Sequence, residues 1–160
     1  MNTISKKIFF DLDGTLYDLY NIENWLESLQ NEDATVFERG NFIGDYDEFI
    51  VIVKELMFKG YTFGVISWLP MYATPEFENE CAEVKRKWVQ KFLPFVEEMN
   101  FQRYGTPKQN AIQTKAQTMY LIDDCIEVGR VWETPKQRKY IYVDEGCNAV
   151  TALKYLLTND

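Results

Sequence analysis

The sequence predicts an α/β domain built on a mainly parallel sheet, and three observations carry that prediction. Short, almost wholly apolar runs, Ile8–Leu12, "YTFGVISW" at 61–68 and "TMYLIDD" at 118–124, read as strands buried on both faces. Amphipathic stretches of helical period lie between them, most plainly Asp47–Phe58 and Glu78–Phe92. Each strand-like run ends on a carboxylate or a hydroxyl, and parallel sheets of this kind bind ligands beyond the carboxyl ends of their strands.

Taken in order, Ile8–Leu12 is a central strand bounded by Asp13-Gly14. Ile22, Trp25, Leu26 and Leu29 have helical spacing and predict a helix over Ile22–Leu29, capped by Asn21. From Glu32 to Gly44 the period is lost, so that stretch reads as a loop or a small appendage. Phe49, Ile50, Val53, Leu56 and Met57 define the apolar face of the Asp47–Phe58 helix, and Gly60 follows where a left-handed cap falls. The strand at 61–68 ends near Ser67, and Pro70 prevents its extension. Cys81, Val84, Trp88 and Phe92 form the stripe of the Glu78–Phe92 helix, with the "EVKRK" charges on its other faces and Pro94 closing it. Phe101–Tyr104 is a weaker strand, and Thr106-Pro107 has the form of a helix start. "TMYLIDD" and "KYIYVDEG" supply two further strands, and Ala149–Leu157 a closing helix. No repeat or linker divides the chain, so 160 residues are expected to form one domain with right-handed crossovers.

Composition removes several classes of function. A net charge of -8 leaves no basic surface able to hold a long polyanion, so extended nucleic acid is not an expected partner. There is no histidine, hence neither the usual neutral-pH base nor the commonest transition-metal ligand. Cys81, Cys125 and Cys147 are odd in number and widely spaced, which argues against a disulfide framework or a zinc site and fits a reducing cytoplasm. Lys6 and Lys7 precede an apolar run that Asp11 interrupts too early for a signal sequence or a membrane span, so a soluble, unprocessed chain without a membrane partner is expected.

Three strand ends therefore carry the candidate chemistry: Asp11 and Asp13, Ser67, and Asp123 with Asp124. Strand residues two apart share a face about 6.5 Å along the chain, which would let Asp11 and Asp13 address one pocket. A lone Asp-Gly is also an ordinary turn with a capping carboxylate. Crowded carboxylates repel unless a cation neutralises them, and Mg²⁺ prefers such oxygen ligands. A carboxylate can attack a phosphoryl group, and a second can protonate the leaving oxygen and then activate water. The accompanying cation is either Lys108 or Lys115, and a helix start would aim Lys108 toward an anion.

"FFDLDGTLYD", "VISW", "TPK" and "YLIDD", in this order over roughly residues 7 to 145, resemble motifs one to four of the haloacid dehalogenase (HAD) superfamily of phosphotransferases. The resemblance implies a Rossmannoid three-layer fold with a small helical cap inserted after the first strand. It makes Asp11 the nucleophile, Asp13 the general acid and base, Ser67 a hydrogen-bond donor to the phosphate and Lys108 the charge-offsetting cation. Mg²⁺ would be held by Asp11, the main-chain carbonyl of Asp13 and Asp123, with Asp124 supporting it from behind and Glu127 either doing the same or solvated. Asp13 fits a phosphatase or mutase, since HAD pumps have Thr there.

Little room exists between Tyr104 and Lys108, so the implied cap is the segment from about Tyr17 to Tyr46. Tyr17, Tyr20, Trp25, Phe37 and Trp68 supply aromatic rings for stacking on a nucleobase or for packing. Tyr17 and Trp68 are the candidates to border the leaving group. The chain looks most like small deoxyribonucleotidase-type and phage-encoded HAD-like proteins. The resemblance implies an Mg²⁺-dependent phosphomonoesterase, with (deoxy)nucleoside monophosphates as candidate substrates. The alternatives are a phosphatase of another small metabolite or of polynucleotide ends, and a HAD-fold binding or regulatory protein without turnover.

Overall fold

The computed structural model of the chain describes residues 5–133 and 136–159. Five strands, β1 (Lys6–Phe10), β2 (Tyr61–Trp68), β3 (Glu98–Gln102), β4 (Thr118–Asp123) and β5 (Arg138–Tyr142), form one all-parallel sheet in the order β3-β2-β1-β4-β5. The chain runs outward from β1 through β2 to β3, then crosses back to β4 on the other side of β1. That reversal is a topological switch point, and it opens a crevice at the carboxyl ends of β1 and β4.

The pleat of β1 explains the layers. Ile8 and Phe10 point into the main core with Phe49, Val53, Trp88 and Leu153, contributed by α2 (Tyr46–Phe58), α3 (Pro75–Phe92) and α5 (Ala149–Asn159). Phe9 points the other way, against Ile66, Leu121 and Val128 and edge-on to Trp132, beneath α4 (Ile126–Trp132). Helices thus flank both faces of the α/β sheet, which is why its central strands read as unbroken apolar runs.

Several expected elements shift, each for a local reason. β1 stops at Phe10, before Asp11 and Leu12, because the chain has by then entered a turn. The first helix is shorter than expected, α1 (Trp25–Gln30). Asn21 does not cap it; its side chain donates to Asp18 instead, while Asn24 adopts a left-handed conformation (φ 60°) that Asn tolerates better than most residues. In α2 the buried stripe is Phe49, Ile52, Val53 and Leu56, and Met57 is exposed. Gly60 has φ 94°, the left-handed stop the sequence suggests.

The helix-start letters Thr-Pro at 74–75 and at 106–107 have opposite outcomes. At Thr74-Pro75 the Thr74 side chain accepts the Phe77 N–H and opens an 18-residue α3. At Thr106-Pro107 only a 3-10 turn, Lys108–Ala111, follows, with no side-chain cap. A cap helps nucleation, but only the segment after Pro75 has an apolar stripe long enough to propagate a helix.

The segment at 32–44 is not an appendage. Asp33 accepts the Thr35 N–H to open a 3-10 turn over Ala34–Phe37, and Val36 and Phe37 join the main core. β3 begins three residues before the expected Phe101 because its inward residues are Glu98 and Asn100, which carry no apolar signal. Glu98 pairs with the fully buried Lys7 and accepts from Asn100 and from the N–H groups of Gln113 and Thr114. Gly64 lies between them on β2, where a Cβ would stand 2.7 Å from the Phe9 ring and 3.0 Å from Glu98 Cγ. Although burial pushes the Glu98 carboxyl upward, its hydrogen bonds outweigh that and leave it below the ordinary value. The network ties the segment after Lys108 to the sheet. No helix among the described residues is long and apolar enough to cross a membrane.

Candidate functional site

The site is built on two neighbouring strand ends. Asp11 directly follows β1, and its N–H donates to Ile122 O of β4 at 3.0 Å. Leu12 O then accepts the N–H groups of Thr15, Leu16 and Tyr17, turning the chain so that Asp11 and Asp13 border the same cavity. Turn geometry, and not the strand alternation the sequence suggests, brings these two together. Gly14 has φ 79°, and a Cβ there would stand 2.2 Å from Asp124 Oδ2 and 2.7 Å from the Tyr20 ring. Gly14→Ala is therefore expected to cost at least about 1–2 kcal/mol from the left-handed backbone alone. It should also displace Asp124, so a thermal melt should show both a lower Tm and a smaller gain on adding a divalent cation; an unchanged cation response would contradict the contact.

β4 delivers the opposing groups. Asp123 is buried at the end of the strand, and its Oδ1 accepts the Cys125 N–H at 2.8 Å. The Tyr140 hydroxyl donates to the main-chain oxygen of Cys125 and lies 3.2 Å from that of Asp123, bracing this turn. Gly129 leaves room for the Tyr140 ring, which a Cβ would meet at 2.4 Å.

Oxygens of Asp11, Asp123 and Asp124 lie within 4.8 Å of one another, close enough to hold a metal ion. Asp124 therefore stands with Asp11 and Asp123, nearer than the supporting place expected of it. Lys108 Nζ bonds Asp11 Oδ1 at 2.7 Å and Asp123 Oδ2 at 2.5 Å. When ionised, three carboxylates against this one ammonium leave two negative charges, and all-oxygen donors of that charge suit a hard divalent cation. Thr15, also missed in the sequence, is buried and donates to Asp11 Oδ2 at 3.1 Å.

The crowding shows in the acidities. Burial, with the charge of Asp11, pushes Asp123 up to about 6. Burial, with Asp11 and Asp123, pushes Asp124 up to about 8. Burial would lower the Lys108 ammonium, but Asp11 and Asp123 outweigh it and hold it above its ordinary value. A carboxyl raised in the folded state keeps its proton where the unfolded chain has lost it, so stability falls as pH rises between the two values. Without a metal, Tm is expected to fall between pH 5 and pH 8. Glu98 acts in the opposite sense only below about its ordinary value of 4.5, outside this window, and the chain has no histidine to intervene. A divalent cation that binds the ionised carboxylates should restore more stability at pH 8 than at pH 5. Melts with chelator and with Mg²⁺ check this, and a flat profile in chelator would contradict it.

The other expected residues divide. Of the two lysines, Lys108 stands at the carboxylates and Lys115 is exposed. Glu127 is exposed and paired with Arg130. Ser67 stands at the end of β2 but is wholly buried behind the cavity wall, its Oγ accepting from Lys85 Nζ at 3.0 Å. Lys85 is the main residue that sequence reasoning missed. The sequence places it among the "EVKRK" charges, yet it is buried and bonds Asp13 Oδ2 at 2.5 Å and Trp68 O at 2.8 Å. Its signal was available: Lys85 lies four residues after Cys81 and eight after Phe77, on the stripe α3 buries. Burial pushes the Asp13 carboxyl above its ordinary value and Asp11 adds to this, while Lys85 opposes.

Above the carboxylates lies a cavity of about 720 Å³ whose walls include Tyr20, Trp25, Leu26, Trp68, Tyr72 and Tyr104. Among the described residues lining it, Lys108 is the only cation. Trp68 is a wall residue as expected, and its indole N–H donates to Thr106 O at 2.8 Å, just ahead of Lys108. Tyr17 is not. It is buried in the core, edge-on to Trp88, with its hydroxyl donating to Val36 O and accepting the Gly40 N–H, both at 2.6 Å. The turn that aims Asp13 at the cavity sends Tyr17 inward. The chain matches no model of a known protein family and no curated protein.

Proposed function

We propose that this chain is a metal-dependent phosphomonoester hydrolase of the HAD superfamily that works through an aspartyl-phosphate on Asp11. The observation that carries the reading is the Lys108 ammonium held between carboxylates from two adjacent strand ends, with Asp124 beside them and Asp13 bordering the same cavity. An Asp11 oxygen attacks phosphorus, and the bond from phosphorus to the leaving oxygen breaks as protonated Asp13 gives that oxygen its proton. Asp13, now a carboxylate, takes a proton from water, whose oxygen attacks the phosphorus. The bond to Asp11 breaks, releasing inorganic phosphate and the free carboxylate. Lys108 offsets the charge of Asp11 and of the phosphoryl oxygens throughout.

Asp11, Asp123 and Asp124 would hold the metal, for which Mg²⁺ fits the all-oxygen donors, with the Asp13 carbonyl completing the set by resemblance. When bound, Mg²⁺ supplies positive charge to the transferring phosphoryl group. The aromatic wall favours a flat, uncharged leaving group such as a nucleoside, because among the described residues lining it a second anionic group would find no cation besides Lys108. The three free thiols, Cys81, Cys125 and Cys147, support a reducing cytoplasm.

The test is phosphate release with Mg²⁺ from nucleoside monophosphates, sugar phosphates and phosphorylated oligonucleotides. Nucleoside monophosphates are expected to turn over fastest. A preference for oligonucleotides or sugar phosphates would overturn the substrate class, and no release from any ester, with no acid-stable label on the protein, would overturn the hydrolase.

A further inference from the structure

We infer that Lys85 is a positioning residue for the acid–base group, acting through Asp13, and this rests on the hydrolase reading above. An ammonium has three donors, and those of Lys85 meet three acceptors: Asp13 Oδ2 at 2.5 Å, Ser67 Oγ at 3.0 Å and Trp68 O at 2.8 Å. Two of these acceptors belong to the end of β2, a central strand of the sheet. The third is the carboxylate of Asp13, a residue that borders the cavity. Lys85 therefore references the Asp13 carboxylate to the sheet and relieves the turn at 12–17 of that task.

The surroundings leave the ammonium little freedom. Its side chain is 2% exposed, on the apolar stripe of α3, and Nζ lies 4.5 Å from the centre of the Phe37 ring. A buried cation keeps such a place only when its donors are satisfied. Phe37 comes from the segment inserted after β1 and also borders the cavity. The same ammonium thus joins the acid–base side chain to the sheet and contacts the cavity wall. Lys85 does not border the cavity itself, and of the groups it touches there Asp13 is the one that can hold a proton for the leaving oxygen.

A buried ion pair that merely held α3 to the sheet would give the same contacts, and leaving groups separate the two roles. If Lys85 aims Asp13, its loss should matter in proportion to how much the leaving oxygen needs a proton. The experiment measures kcat/KM, which reports the steps through transfer to Asp11, for an alkyl phosphate and for p-nitrophenyl phosphate. The proteins compared are the wild type, Lys85→Met, Asp13→Asn and the double variant. Lys85→Met is expected to lose on the order of 10²-fold on the alkyl ester and only a few-fold on the nitrophenyl ester. In the Asp13→Asn background the same substitution should cost less than about 3-fold on either ester, since an interaction already broken cannot be broken again. Equal losses on both esters, full additivity in the double variant, or an unaffected Lys85→Met would each overturn the inference. The double variant leaves no buried charge unpaired, and Lys85→Arg, which keeps the charge but changes the donor geometry, should lose selectively on the alkyl ester even if Lys85→Met does not fold. With a nucleoside 5'-monophosphate as the alkyl ester, a wild type that releases phosphate from neither ester nor from any other tested above would overturn the hydrolase reading itself, an outcome distinct from all of these.

Discussion

Asp11→Asn is expected to abolish turnover, by on the order of 10³-fold or more, while leaving the fold in place. The amide keeps the shape of the carboxylate but has neither the charge nor the nucleophilicity to displace a leaving oxygen from phosphorus. Lys108 would keep Asp123 as a partner, and Thr15 would still have an oxygen to donate to. One negative charge would leave the crowd that raises Asp123 and Asp124, so the metal-free variant should melt within a few degrees of the wild type and lose less stability toward pH 8. Activity near that of the wild type in a pure sample would remove Asp11 from the chemistry.

Asp13→Asn should produce the second-largest loss, and its pattern across substrates matters more than its size. An amide cannot protonate the leaving oxygen, so an alkyl phosphate should slow by on the order of 10²-fold or more. With p-nitrophenyl phosphate the first transfer needs little help, but the water attack that follows still lacks its base. Rapid mixing should then show a burst of nitrophenol followed by slow release of phosphate. The variant also weakens a buried ion pair with Lys85, so a lower Tm is expected alongside. Uniform slowing of every ester without a burst would assign Asp13 to structure alone.

The fold was legible where a residue's fate depends on near neighbours in the chain. The runs at Ile8–Phe10, 61–68 and 118–123 are apolar at consecutive positions because both faces of a central strand are covered, and such burial is written locally. Where a strand's inward groups are polar and paired across the sheet, as with Glu98, Asn100 and Lys7, the local pattern misplaces it, because the partner that makes burial tolerable is 91 residues away. The Thr-Pro signature has the same limit: it marks a start, and only the stripe that follows decides whether a helix grows.

The site divides along the same line. Asp11, Asp13 and Asp123 could be nominated from the sequence because strand ends and a tight turn put chemistry at predictable places, and Lys108 because a Thr-Pro start precedes it. The sequence by itself determined which carboxylates stand at the ends of β1 and β4. Only the tertiary structure decided how they are partnered: Lys108 over Lys115, Asp124 as a member of the carboxylate cluster, Tyr17 turned into the core, and Lys85 drawn from the charges of α3 to join Asp13 and Ser67. The physical reason is that a buried charge is stable only where its partners converge, and that convergence depends on distances between elements, which no local spacing encodes.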